Sequence, residues 1–469
     1  MSQSISHPAG AGSFPCSISN RVVAVGALLV LSPLILYVID IRPIIATGYL
    51  AGLAALVLLV NPRLSFVLFL VSISVKMPYL LDFIAIHPYD IAFALAALAF
   101  ILNHLLRSGA EIRPTPLDTP FILLIMATWL SALFAYDMRE SVVSSIRIVT
   151  VYLTFRFVFK YALEIGVRKL LLFFMIQTAV LSALAFIPFV LAGGSFRSFG
   201  PAGLALQYFA MTTLPMALAF LIWTRSPASR FGYGLICVVT GLGIFATQSR
   251  APLLAVVVAV PILLFVAYRK ARRENAQRAA RAVKLVLIPI ALLGVTVVVL
   301  GETLFGGILT RVTSLIASLQ NPEGTVSTRL ILWTSAIKGF LSSPIIGIGI
   351  GNMKIIHEVV PEVKLIPLWA YVKGMSAHNV LLHYLAETGL VGTSALMLLF
   401  WRGLRIGRTN LRLKLDQINA PVSVALFMAA LVCFITMFYM RTWTWGQTGY
   451  ILAILFGLNA AWSHQHRAR

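Results

Sequence analysis

The stretch Leu170-Leu-Leu-Phe-Phe-Met-Ile-Gln-Thr-Ala-Val-Leu-Ser-Ala-Leu-Ala-Phe-Ile-Pro-Phe-Val-Leu191 carries no charge, and Arg168-Lys169 stand just before it. A helix needs about 20 apolar residues to cross the hydrocarbon core of a bilayer. The stretch therefore reads as a membrane span with a basic flank. Working outward, comparable runs lie at 22–39, 44–60, 64–77, 90–106, 119–135, 140–162, 168–191, 204–224, 230–247, 251–268, 283–300, 378–400, 421–440 and 446–462. The expected fold is all-α: a polytopic membrane helix bundle of 12–14 transmembrane helices, the range reflecting the short run at 64–77 and a second way of dividing 22–60.

Composition agrees. The chain has 469 residues, 59% hydrophobic and 11% charged, with a mean hydropathy of +0.93. A soluble domain of this size has no interior large enough for that much apolar surface, so lipid must cover much of it. Cys16, Cys237 and Cys433 lie far apart, without metal or disulfide spacing. Residues 1–20 are polar, with no basic start before an apolar core, and read as a disordered tail and not a cleaved signal.

A net charge of +22 invites a nucleic-acid reading. The distribution of the charge argues against one, because the basic residues cluster in short loops between apolar runs. Arg269 to Arg273, continuing through Arg278, Arg281 and Lys284, is one such cluster; Arg402 to Lys414 is another. The positive-inside rule makes both cytoplasmic, and alternating the remaining spans places most of the 37 Lys and Arg on that side with both termini. The expected organisation is a cytoplasmic tail at 1–20, an N-terminal transmembrane bundle at 21–300, a periplasmic helical loop at 301–377, C-terminal transmembrane helices at 378–462 and a cytoplasmic tail at 463–469.

The one long hydrophilic connection, 301–377, then faces outward. Leu330, Trp333, Ile337 and Phe340 recur in it at helical steps, with Ser327 or Thr328 as candidate cap and Pro344 beyond the end. An ordered cap is expected, part of it lying along the membrane surface.

Polar residues in so apolar a chain are where function is sought, since burying them is costly. Four outward-facing places stand out: Gly193-Gly-Ser-Phe-Arg197; Thr247-Gln-Ser-Arg250; Ser327-Thr-Arg329-Leu-Ile-Leu-Trp333; and Ser376-Ala-His378-Asn379 leading to Glu387-Thr-Gly389-Leu-Val-Gly392. Between the last two runs Pro344-Ile-Ile-Gly347-Ile-Gly349-Ile-Gly351-Asn352. In order, spacing and sidedness, the set over roughly residues 190–400 resembles the O-antigen ligase and polymerase superfamily.

That resemblance implies a GT-C-like, inverting, metal-independent glycosyltransferase. The donor would be a glycan on undecaprenyl pyrophosphate, the acceptor lipid A-core or a growing glycan, with membrane lipids around the protein, no cofactor and no nucleic acid. It implies His378 as catalytic base and Arg197, Arg250, Arg329, Asn379 and Glu387 as substrate-binding residues. The chemistry is consistent. Departure of a sugar pyrophosphate needs positive charge at the leaving oxygens, from a metal or from arginines. No Asp-x-Asp occurs in the chain, and guanidinium suits bidentate phosphate contact. A histidine near neutrality suits removal of a hydroxyl proton, and a helix N-terminus disfavours the imidazolium form.

Plainer readings exist for each residue. His378 also reads as an interfacial helix cap, Arg250 as a snorkelling cation, Arg197 as a headgroup contact, and Arg329 as a partner of Glu323. Glu387 lies one turn from His383, so an internal hydrogen-bonded pair is favoured. His357, Glu358 and Glu362 make a poor metal site, with no third strong ligand placed. Gly347-x-Gly-x-Gly351 lacks a strand–helix unit and reads as a flexible turn, not a dinucleotide loop. Polymerase activity, a protein-directed oligosaccharide transferase, a polysaccharide or lipid transporter and a structural scaffold are the rivals. A transporter would show paired halves with charges near the midplane; here the polar places gather at one face.

Overall fold

Leu206–Trp223 is apolar on every side and buried on nearly every side. A helix of that kind belongs at the centre of a bundle, and the other helices are arranged around it. The computed structural model describes residues 61–76, 87–106, 113–194, 196–272, 325–413, 419–440 and 446–467. All regular structure among them is helical. The runs expected at 22–39, 44–60 and 283–300, the tail at 1–20 and Glu323 lie outside the described residues.

In chain order the helices are α1 (Pro62–Ser72), α2 (Pro88–Leu106), α3 (Asp118–Leu133), α4 (Met138–Ile165), α5 (Val167–Leu191), α6 (Leu206–Trp223), α7 (Pro227–Ala246), α8 (Arg250–Arg272), α9 (Thr325–Ser342), α10 (Val380–Leu411), α11 (Ala420–Thr436) and α12 (Gly446–Arg467). Among the described residues six segments, α4, α5, α6 with the turn before it, α7, α8 and α10, are long and apolar enough to cross a membrane. The chain is thus a polytopic helical membrane protein. Around α6 pack α5, α7, α8 and α11; α10 lies against α3, α9 and α11, and α12 runs along α4.

Helices in lipid gain little from hiding apolar surface from one another, so close approach at small residues holds them together. A Cβ on Gly243 of α7 would sit 2.3 Å from the Ser182 Cβ of α5, and one on Gly457 of α12 would sit 2.8 Å from the Val158 Cβ of α4. Gly243→Ala should therefore push α5 and α7 apart and destabilise the fold by about 1–3 kcal/mol. A thermal melt in detergent indistinguishable from wild type would contradict this packing.

Most expected spans are matched by helices within a few residues. Three expectations need correction. The basic segment from Arg402 is not a loop: α10 continues to Leu411, because Gly403, Ile406, Gly407 and Asn410 present a buried face while Arg402, Arg405 and Arg408 point away from it. The same helix begins at Val380, with Asn379 as its cap, and not at 378. Finally, α9 begins at Thr325, so Ser327 and Thr328 lie in its first turn and do not cap it.

Of the expected outer loop, residues 325–377 are described and are ordered. Ala336, Ile348, Met353, Ile356, Val360 and Val363 form a small apolar core that takes in Ala377, just before α10, and Ala386 within it. This cap sits over the ends of α3, α4 and α10. Ser141 Oγ donates to Ile350 O (2.6 Å), and Lys354 Nζ pairs with Glu140 at 2.8 Å.

Beneath the cap α10 is broken. Gly389 has φ 59° and ψ −158° inside an otherwise continuous helix, a conformation open to glycine and hardly to other residues. The turn Pro344–Asn352 fills the break. Leu390 and Val391 donate their N–H groups to Pro344 O and Ile345 O (2.8 and 3.2 Å), while Ile348 and Gly349 donate to Ala386 O and Glu387 O (2.9 and 3.0 Å). Irregular backbone at membrane depth is tolerated only where protein satisfies its polar groups. The glycine-rich turn does that here.

Candidate functional site

The four polar places meet at one end of the bundle, each tied to the next. The loop after α5 turns back on Gly193 and Gly194, both at positive φ. It is then pinned to the turn between α7 and α8. Gln248 Nε2 donates to Gly194 O at 3.0 Å, and Ser198 N–H donates to Ala246 O at 3.0 Å. This brings the exposed Arg197 beside the turn that ends in Arg250.

Arg250 is the first residue of α8 and is exposed. A cation there opposes the positive end of the helix dipole. Arg329, half-buried on α9, lies within its field: burial first, and then the Arg250 charge, hold the Arg329 guanidinium below the ordinary arginine range. Two cations brought together at a helix N-terminus make a region of high positive potential suited to an anion.

One turn further along α9, Trp333 Nε1 donates to Ala377 O at 3.0 Å. That bond fixes the residue before His378. On the other side Asn379 accepts from Leu382 N–H through its side-chain oxygen (3.1 Å), and Val380 N–H donates to Met437 O (2.7 Å). His378 is half-buried and held at φ 50°. Among the described residues only Gln248, Leu368 and His378 are non-glycine residues with positive φ. Two of these three thus belong to the site. Strained backbone of this kind persists only where its surroundings over-determine it, and it concentrates at functional positions.

The remaining expected residues are placed differently. Asn379 uses its side-chain oxygen to cap α10. Glu387 is 0% exposed; it accepts from Met353 N–H at 3.0 Å and lies 3.2 Å from His383 Nε2, inside the protein. His357 stacks on Trp369 with ring centroids 5.2 Å apart, and burial first, then Lys373, keep its imidazole below the ordinary range. Among the described residues no three His, Cys, Asp or Glu side chains gather as metal ligands would.

Residues 235–397 match a family model described as O-Antigen ligase. This stretch belongs to the O-antigen ligase superfamily. A comparison with curated proteins gives no match. The O-antigen ligase domain runs from within α7 to the lower half of α10 and contains Arg250, Arg329, His378, Asn379 and Glu387; Arg197 lies before it and reaches the domain through the Gln248 and Ser198 bonds. It is a domain of general O-antigen ligase and polymerase type. Sequence reasoning gave Gln248 and Trp333 no tertiary role: Gln248 ties the preceding loop at Gly194 to the matched stretch, and Trp333 ties α9 to Ala377 within it. The signal for Gln248 was the absence of any loop between two apolar runs at Thr247–Arg250, which forces a tight turn on a polar residue.

Proposed function

We propose that this protein is a glycosyltransferase of the bacterial inner membrane, with both termini cytoplasmic and the candidate site facing the periplasm. It moves a glycan from undecaprenyl pyrophosphate to lipid A-core. The acceptor hydroxyl attacks the anomeric carbon as His378 takes its proton. The bond from that carbon to the pyrophosphate oxygen breaks, the leaving group keeps the electron pair, and the anomeric configuration inverts. Arg197, Arg250 and Arg329 hold the pyrophosphate and balance the charge developing on it.

The observation that carries this reading is the stitching of the polar places at one end of the bundle: Gln248 and Ser198 tie the Arg197 loop to the turn before Arg250, and Trp333 on the helix of Arg329 ties to the residue before His378. Basic residues at the opposite helix ends, Arg168, Lys169, Arg225, Arg230, Arg269 and Arg402, support the orientation.

The deciding experiment is a gel of surface glycans from a deletion strain complemented with wild type or Arg250→Ala. Without a working copy, unlinked polymer should accumulate on its lipid carrier, and wild type should restore linkage to the core. Single repeat units on the core would instead make the protein a polymerase. Uptake without glycan transfer in reconstituted vesicles would make it a transporter. In purified form, transfer should be insensitive to EDTA, since the arginines stand where other enzymes place a metal. Loss on chelation with rescue by a divalent ion would overturn that part of the mechanism.

A further inference from the structure

Glu387 is a carboxylate with no exposed surface, in the wall of a membrane helix. Removing such a group from water costs several kcal/mol, and a well-packed apolar residue in its place is often no less stable. Its contacts show what it does. One carboxylate oxygen accepts from Met353 N–H (3.0 Å), the first hydrogen bond beyond the glycine-rich turn. The other lies 3.2 Å from His383 Nε2. His383 N–H in turn donates to Asn379 O (3.0 Å), closing the first turn of α10 next to His378. The Glu387 main-chain oxygen accepts from Gly349 N–H (3.0 Å) and from Ser131 Oγ (2.6 Å).

We propose that Glu387 is a positioning residue: a latch that locks the turn Gly347–Met353 to the upper half of α10 and so fixes His378 over the site. It does not touch the substrate. Without it, the segment that carries His378 keeps the Trp333 bond to Ala377 O and the backbone bonds around Gly389, but the turn loses its side-chain tie to α10 and Met353 N–H is left buried without its acceptor. The catalytic consequence rests on the reading of His378 as base; the structural consequence does not.

Two variants of the full-length protein in detergent or nanodiscs test this. Glu387→Gln keeps a carbonyl oxygen for Met353 N–H, whereas Glu387→Ala removes it. Hydrogen exchange of the peptide containing Met353 should accelerate on the order of tenfold or more in the alanine variant and stay close to wild type in the glutamine variant. In glycan transfer, kcat should fall by a similar factor for alanine with donor KM nearly unchanged, and glutamine should recover most of it. Full protection of Met353 in Glu387→Ala would overturn the latch. A rise in donor KM shared by both variants, with kcat unchanged, would equally overturn it and make Glu387 a substrate contact. Should even the wild type transfer no glycan, the functional reading fails, while the exchange measurement still decides the latch.

Discussion

His378→Asn should lower glycan transfer by about 10²–10⁴-fold, the range a general base commonly supplies, while leaving the protein folded and able to bind donor. Asparagine is the informative choice because the backbone at this position sits at φ 50°. Asparagine tolerates the left-handed region far better than alanine, so backbone strain is not added to the loss of the imidazole. His378→Ala should lose at least as much activity and some stability as well. The neighbours argue that the scaffold survives. Ala377 O is held by Trp333, the Leu382 N–H by Asn379, and Val380 N–H by Met437 O, and none of these bonds uses the imidazole. The check is kcat, donor affinity and melting temperature on the same preparation. A variant retaining a third or more of wild-type kcat would remove His378 from the mechanism.

The second large effect is structural. Gly347→Ala should destabilise the protein by more than about 4 kcal/mol, or prevent its accumulation altogether. The position has φ 75°, and a Cβ there would sit 2.2 Å from Glu387 C, 2.3 Å from Glu387 O and 2.4 Å from Thr388 N. All three are backbone atoms, so no side-chain rotation relieves the clash. The turn must withdraw from the break in α10, and Ile348 and Gly349 lose their acceptors at Ala386 and Glu387. Changes of this size come from a few causes, of which strain at a special φ and unsatisfied buried polar groups are two; both operate here. Membrane yield and detergent melting temperature measure the effect. Wild-type values for both would mean that the docking of turn and helix is wrong.

Much of the bundle was legible because lipid imposes a simple rule on sequence. Leu170–Leu191 and Leu206–Trp223 carry no charge and are mostly apolar, and length alone marks them. Helix ends were harder. The rule sees the apolar centre and not the basic last turns, so the extension of α10 through Arg402 and Arg408 to Leu411 escaped it; those turns are helical because one buried stripe continues past the membrane. The four polar places were visible because charged and polar residues are scarce in such a chain. What one sequence could not supply was the pairing across distance. Nothing local to Gly347 or Gly389 indicates that each is shaped by the other's backbone, and nothing around Glu387 indicates that its partner is an amide at Met353. Gln248 and Trp333 matter through Gly194 O and Ala377 O, partners remote in sequence and invisible to any window.

The break in α10 also settles where this protein can be divided. Hydropathy draws a border at the start of the C-terminal helices, as though the outer segment were a module resting on a finished membrane unit. In fact Pro344 and Ile345 complete the hydrogen bonding of a transmembrane helix, and Ser131 and Ser141 anchor to that junction from α3 and α4. Excised, the described part of that segment, residues 325–377, would lose Ala386 and Leu382 from its apolar core and the acceptors of Ile348 and Gly349 N–H, while the helix left behind would lose the acceptors of Leu390 and Val391 N–H. The two halves are interdependent parts of one cooperative unit, so exchanging outer segments between relatives should work only when the Glu387–Gly392 stretch travels with them.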